Sequence, residues 1–535
     1  MDSSVERNLV IGLDGFELSV AQALADAGKL PFFRRLFEET ATFHLDHGDA
    51  RDTGLAWEHF ATGKHPDDYK RWSAVTFNRH TYQVFQSPSE QKPFTNELGG
   101  NVVVFDTPYH TLDNSNQCPS GVVDWGAHDP GVPAQSNPAS LLQEIESRFG
   151  SYPAKPYIYG FSWPCAERTQ RMANSLLEAA KARTGIANWL LEERFPDWET
   201  AIIVTSELHS SIEAFWHGWD GQHPLNGLPS AAPARHGIES LYVETDRMLS
   251  LLAQRFPDAR LVVFAMHGMG SNTADVLSMA VLPEFMYRLE TGRTALSSRA
   301  DWQVSNGFAM RKQDDWSMAV NDCLTLPERR ALQPDDKSLM ARLKALFKTS
   351  TARVRARDAN LSLDWMPSAL YAPAWRKMRA FALPSFYDGQ IRVNLSGREA
   401  EGVVEGHDYE RELDRIETEL NEMRDLKTGH KVVAGVSRPV ADRPFEAGPT
   451  ECDVRISWAS SASGIRHPKM EPIGPFPFRR TGGHTGKCGF AALMNCGLQP
   501  GFKGSRNAMD VAPTLAKLAT GFSGTAKFSG KSLLD

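Results

Sequence analysis

NLVIGLDGF, residues 8–16, decides the fold. It opens as an apolar run of strand length and closes on Asp14–Gly15, so it reads as a buried strand that turns sharply at its carboxyl end. Runs of the same kind recur at Asn101–Phe105, Ala201–Val204 and Leu261–Ala265. Helical spacing lies between them, at Leu18–Ala27, Pro31–Glu39, Arg168–Arg194 and Ile238–Phe256. Pro31 suits the first turn of its helix. This alternation predicts an α/β protein with a mostly parallel central sheet and helices on both faces. Functional residues then belong at the strands' carboxyl ends, where both Asp14 and His267 fall.

The chain has 535 residues, more than one simple core accommodates. Its 41% hydrophobic and 23% charged residues are ordinary for a globular enzyme, and a net charge of −7 gives no reason to expect nucleic acid or an acidic membrane as partner. No apolar run approaches the roughly 20 residues that span a bilayer. The polar start MDSSVERN lacks the pattern of a secretory signal. Six scattered cysteines without a CxxC pair read as reduced thiols of a cytoplasmic protein. The texture changes between 294 and 440, which predicts an inserted α+β subdomain. It carries the turn and short strand of SFYDGQIRVNLSGRE and helical spacing over Tyr409–Met423. Residues 1–293 and 441–535 then form the α/β core. The strand-like DVRISW marks its resumption and DVAPTLAKLATG its closing helix. The locally basic stretch 341–357 reads as a solvated helix face.

Four residues stand where one element gives way to the next: Asp14, Thr53, His267 and His484. A carboxylate after a buried strand can ligate a hard or borderline cation, although Asp-Gly alone is equally the mark of a turn. Thr53 precedes the helix-like GLAWEHFATG. A hydroxyl at a helix start can cap it, or sit beside a bound phosphate and serve as a nucleophile. His209 and Glu213 are spaced i, i+4 on one helical face, a spacing that can bind zinc, with Glu207 and His217 near it as additional candidates. His267, in FAMHGMG, and His484, in TGGHTG, lie in glycine-rich turns that let the backbone approach closely.

These segments as a set resemble the type I phosphodiesterase/nucleotide pyrophosphatase branch of the alkaline phosphatase superfamily. VIGLDGF, TGLAWEHFATGKHP, EAFWHGWDGQHP, LVVFAMHGMG, YDGQIRVNLSGREAEGVV, GGHTGKCGFAAL and MDVAPTLAKLATG all have counterparts there. The resemblance implies an alkaline phosphatase-like fold and a divalent metal cofactor, one or two ions, zinc in the first place with manganese as an alternative. One ion would take Asp14, Thr53, position 266 and His267, and the other positions 209 and 213 with His484. Three positions depart from the pattern: Met266 stands for Asp, His209 for Asp and Glu213 for His. Met266 replaces a carboxylate with a soft neutral thioether. Ala56 stands where the nucleotide pyrophosphatases carry an Asn that holds a phosphate oxygen.

The expectation is a phosphodiesterase acting on a small-molecule ester, with Thr53 as nucleophile and a phosphothreonine intermediate. Alternatives are a phospho- or sulfo-group transferase, a sulfatase, or a binding protein altered by Met266. A formylglycine sulfatase needs a C/S-x-P-x-R context, which SWPCAERT does not provide.

Overall fold

The computed structural model describes residues 6–112, 118–126, 133–158, 164–297, 303–304, 308–309, 316–332, 360–519, 521–522, 524 and 527–535. In chain order, the strands of its two largest sheets are β1 (Asn8–Leu13), β2 (Ala41–Asp46), β3 (Val102–Phe105), β4 (Ser120–Val123), β5 (Gln135–Asn137), β6 (Thr200–Thr205), β7 (Arg260–Ala265), β8 (Ala380–Leu383), β9 (Gly389–Val393), β10 (Val433–Ser437), β11 (Val454–Trp458), β12 (Gly489–Met494) and β13 (Gly501–Asn507). The helices that frame the large sheet include α1 (Leu18–Asp26), α2 (Pro31–Glu39), α3 (Ala56–Thr62), α4 (Ala166–Trp189), α5 (Glu207–Trp219), α6 (Ala231–Arg255) and α7 (Val511–Leu518).

Nine strands form the large sheet in the order β13-β2-β12-β7-β1-β6-β3-β4-β5. Only β12 and β5 run against the others. Alternate residues of the central strands enter two different cores. Leu9, Ile11 and Leu13 join Val103, Ile203 and Val263 under α1, α2, α4, α5 and α6. Val10 joins Ile202, Val262 and Phe264 under α3 and α7. The protein therefore has the α/β architecture that the apolar runs predict, because a strand covered on both faces has no polar side to alternate with.

Helix α6 begins at Ala231, seven residues before the predicted Ile238 (238 − 231). Its first two turns, AAPARHG, lack apolar periodicity, and Pro233 is tolerated because a first-turn residue has no intrahelical hydrogen bond to donate. A second, four-stranded antiparallel sheet has the order β8-β9-β11-β10. It packs its own core, in which Phe381, Ile391, Val393, Val454 and Ile456 meet Phe285, Leu413 and Ile416.

Strand β11 is the DVRISW segment, and it pairs with β9 and β10 rather than with the large sheet. Val454, Ile456 and Trp458 point inward while Arg455 and Ser457 do not, the alternation of a one-sided antiparallel strand. We propose accordingly that the second unit extends to about Phe478, with the chain re-entering the main sheet at β12. The basic stretch 341–357 lies outside the described residues. No helix among the described residues is long and apolar enough to cross a membrane.

A buried ion-pair network ties α4 to the sheet. Arg183 donates to both oxygens of Glu207 at 2.9 Å, to the Val204 carbonyl at 2.9 Å and to Ser206 Oγ at 3.0 Å, and it pairs with Asp106 at 2.8 Å. All three charged side chains are buried. Replacing Arg183 with Met leaves two carboxylates without their cation, and the expected cost is about 3–5 kcal/mol, read as a lowered urea midpoint relative to wild type.

Candidate functional site

Register places the site. Leu13 lies level with Thr205, and Gly12 with Phe264, so β1, β6 and β7 end together. The chain leaves them as Asp14, as Ser206 leading into α5, and as Met266–His267. Strand β12 is antiparallel to β7 and pairs Phe490 with Ala265, so it starts on this same edge and brings the preceding His484 loop with it. Strand β2, which pairs Leu45 with Gly489, ends there too and delivers His47 and the turn Gly48–Thr53.

Two glycines let these segments close on α5. Gly15 has φ +70°, and a Cβ there would lie 2.1 Å from His209 Cα. A Cβ on Gly482 would lie 2.1 Å from the Ile212 carbonyl oxygen. Only residues without side chains permit both approaches.

In that frame His209 Nε2 stands 2.8 Å from His484 Nε2 and 3.1 Å from Glu213 Oε1. The donor atoms of the three residues lie within 4.8 Å of one another, a grouping capable of holding a metal ion. His209 Nδ1 is 3.7 Å from Asp14 Oδ2, and the other Asp14 oxygen accepts from Trp57 Nε1 at 2.8 Å. Behind the cluster, Arg480 bridges Glu213 and Asp275, donating to the two Asp275 oxygens at 2.8 and 3.0 Å. Arg479 adds a contact to Asp275 at 3.2 Å.

Burial pushes the Glu213 carboxyl up, but the Arg480 guanidinium and His209 more than offset it and hold it well below the usual carboxylate range. Burial disfavours the His209 imidazolium, yet Glu213 and Asp14 raise its pKa overall.

Thr53 is buried at the end of its turn. Its hydroxyl donates to the Ala50 carbonyl at 2.9 Å and accepts from the Leu55 N–H at 3.2 Å. Gly54 follows in the left-handed region, at φ +75°, and a Cβ there would come within 2.9 Å of the Tyr387 ring. Tyr387 in turn meets His484 edge-on, with ring centroids 4.7 Å apart. Tyr387 thus links the Thr53 turn to the metal-capable cluster.

The structure brings His209, Glu213 and His484 together with Asp14 beside them, and arranges the other candidates differently. His267 stacks on His47 at 4.3 Å between centroids and meets His484 edge-on at 5.6 Å. Met266 is buried in the apolar cluster of Trp57, Phe60 and Phe264, so it offers no ligand in place of a carboxylate. Glu207 is occupied by Arg183. His217 is held between Thr481 Oγ1 at 3.3 Å and Ser230 Oγ at 2.9 Å. Glu207 lies roughly 200° around α5 from His209 at 100° per residue, whereas His217 lies one turn beyond Glu213 on the same side, where Thr481 and Ser230 hold it.

Sequence reasoning did not single out His47, Tyr387 or Arg480. Arg480 lies four residues before His484 within RRTGGH, but its carboxylate partners Glu213 and Asp275 are far away in the chain, so no local signal marked it.

No family model matches the sequence, and no curated protein does. Among the solved structures that resemble it are two kinds of protein. One is the phosphonoacetate hydrolase of Sinorhizobium meliloti 1021 in complex with phosphonoformate or phosphonoacetate. It is 13% identical, the match covers 95% of this chain and 94% of that one, and the TM-scores are 0.47 and 0.48. The other is murine ectonucleotide pyrophosphatase/phosphodiesterase 5, as an inactive variant in complex with AMP. It is 9% identical over 98% of this chain and 97% of that one, with a TM-score of 0.45. The second carries the name of the family that the sequence motifs resemble. At such identity and score neither structure lends a residue a role.

His217 gives the site a pH signature. Burial, with His223 adding to it, lowers its pKa from 6.5 to about 3. Below pH 6.5 the unfolded chain takes up a proton that the native state refuses until about pH 3, so stability falls as pH drops through that interval. This group alone is expected to remove about 2 kcal/mol between pH 6.5 and pH 5. Urea midpoints at pH 7 and pH 5 check it: the wild-type drop should exceed that of His217→Gln.

Proposed function

We propose that this chain is a metal-dependent hydrolase of phosphate esters, most simply a phosphodiesterase, with Thr53 as its nucleophile. The observation that carries the reading is the convergence of His209, Glu213 and His484 at the strands' carboxyl edge, one aromatic ring away from the Thr53 turn. Two imidazoles and a carboxylate suit a borderline cation such as zinc or manganese better than an all-oxygen ion such as calcium. These three residues would hold it, with Asp14 orienting His209 from its other ring nitrogen. A single ion is the count these donors support. When bound, the ion would neutralise phosphoryl oxygens and favour the ionised form of a nearby hydroxyl.

In the first half-reaction the Thr53 Oγ1–phosphorus bond forms as the ester P–O bond breaks, and the Thr53 proton passes to the departing alcohol. Attaining this requires the hydroxyl to give up its bond to the Ala50 carbonyl. Water then attacks the phosphothreonine and returns a proton to Thr53, which restores the hydroxyl. Tyr387 bounds the space between nucleophile and cluster, and Arg480 keeps Glu213 ionised.

A second reading, a non-catalytic binding protein, draws on the burial of Met266 and on the double engagement of the Thr53 hydroxyl. Thr53→Ala separates the two. Hydrolysis calls for a loss of at least about a thousand-fold in kcat on an aryl phosphodiester with bound metal unchanged by elemental analysis. Wild-type turnover in that variant removes Thr53 from the mechanism.

His484→Ala is expected to lose the metal. For the wild type, zinc or manganese at 100 times its Kd should add about 2.7 kcal/mol of stability, measured as a rise in melting temperature. Absence of that rise, together with metal-free purified protein, favours the binding reading.

A further inference from the structure

Among the described residues, the buried arginines Arg183, Arg392 and Arg398 are saturated, and the partly buried Arg455 near Thr53 is not. Arg392 donates to Glu399 and to the Gly448 and Glu451 carbonyls, and its side chain is 1% exposed. Arg398, fully buried, is bound by Glu399, Asp453 and the Val393 and Pro444 carbonyls. Arg183 is equally committed. Arg455 is not. Its one ion pair is a single contact, Nε to Asp388 Oδ2 at 3.3 Å, that buried nitrogen makes no well-formed hydrogen bond, and the Cys452 thiol is a further polar side-chain neighbour. Its side chain is 13% exposed.

Asp388 has other partners: Ser385 Oγ donates to it, and so does Gln390 Nε2 at 3.1 Å. Burial holds the Asp388 pKa up at about 6 even with Arg455 beside it, and a single contact at 3.3 Å leaves the rest of the guanidinium fork outside this pair.

Arg455 belongs to β11 of the second unit, yet everything around it leads back to the Thr53 turn. Its guanidinium lies over the Trp72 ring, 5.7 Å from the centroid. Two residues on, the Ala74 N–H donates to the Thr53 carbonyl at 3.1 Å. Asp52, next to Thr53, feels the Arg455 charge. Asp388 follows Tyr387, the ring that abuts Gly54 and His484. A planar fork with an open edge, backed by an indole face, is the arrangement that receives a carboxylate or phosphate in bidentate fashion.

We infer that Arg455 is a specificity-determining residue that anchors a second anionic group of the substrate, distinct from the phosphoryl group at Thr53. The inference rests on the phosphoester reading and narrows it: the substrate class is an ester whose tail or leaving group carries its own carboxylate or phosphate.

The test uses unreactive phosphonates, so that it does not depend on turnover. Full-length, metal-loaded protein is titrated calorimetrically with propylphosphonate and with a series of ω-carboxyalkylphosphonates of two to four carbons. The wild type is expected to bind the best carboxylated member at least ten-fold tighter than propylphosphonate. Arg455→Gln should abolish that preference while leaving the Kd for propylphosphonate unchanged, which also certifies the fold. Arg455→Lys, which keeps charge but not the fork, should retain part of it. A wild type that binds every member like propylphosphonate, or fails to bind any, overturns the inference, and so does an Arg455→Gln variant that weakens all members alike. Loss of hydrolysis with this preference intact would count against the nucleophile and not against Arg455.

Discussion

The arrangement depends on how closely the end of β1 lies against the start of α5. Gly15 touches the His209 backbone with no side chain between them. That contact fixes the distance from Asp14 to His209, and Gly482 does the same for the His484 loop against Ile212. A methyl group at either point would push apart the elements that carry the donor atoms. Backbone packing at these two glycines, more than any polar contact, sets where the imidazoles and the Glu213 carboxylate sit.

Charge is the second constraint. Glu213, Asp275 and Asp14 are all buried at this edge, and unpaired carboxylates there would be costly. Arg480 and Arg479 answer for Asp275 and Glu213, while His209 and the Trp57 indole N–H answer for Asp14. The guanidinia are fixed behind the cluster, so His209 and His484 keep ring nitrogens directed at each other across 2.8 Å. Two such nitrogens can share one proton or face one cation. This is how a site built largely of buried groups remains able to take a ligand.

Much of this was legible from the chain. Continuous apolar runs gave the buried strands, with boundaries at Asn8–Leu13 and Pro31–Glu39 matching the observed elements. His209, Glu213 and His484, which the family resemblance groups together, have donor atoms within 4.8 Å of one another. What escaped were relations between distant segments. His267 and His47 are 220 positions apart (267 − 47), and their stacking follows from β2 and β7 ending on one edge, which no local pattern reveals. Glu207 looked as available as Glu213, and only the fold shows that Arg183 claims it. Strand β11 reads in the sequence as the resumption of the core, yet it pairs with β9 and β10, because an apolar-rich segment does not announce its partner. Its alternation with Arg455 and Ser457 was the unused clue.

The position of β2 has a consequence for how the chain is made. Residues 41–46 are made long before both hydrogen-bonding neighbours of this strand, β12 and β13, which come from residues 489–507. Until residues 489–507 are made, the nascent polypeptide holds unsatisfied apolar edges on β2 and on β7. Such edges invite association with other chains. Folding of this protein therefore hinges on sheltering these edges until residues 489–507 arrive, because without them β2 has no partner in the sheet.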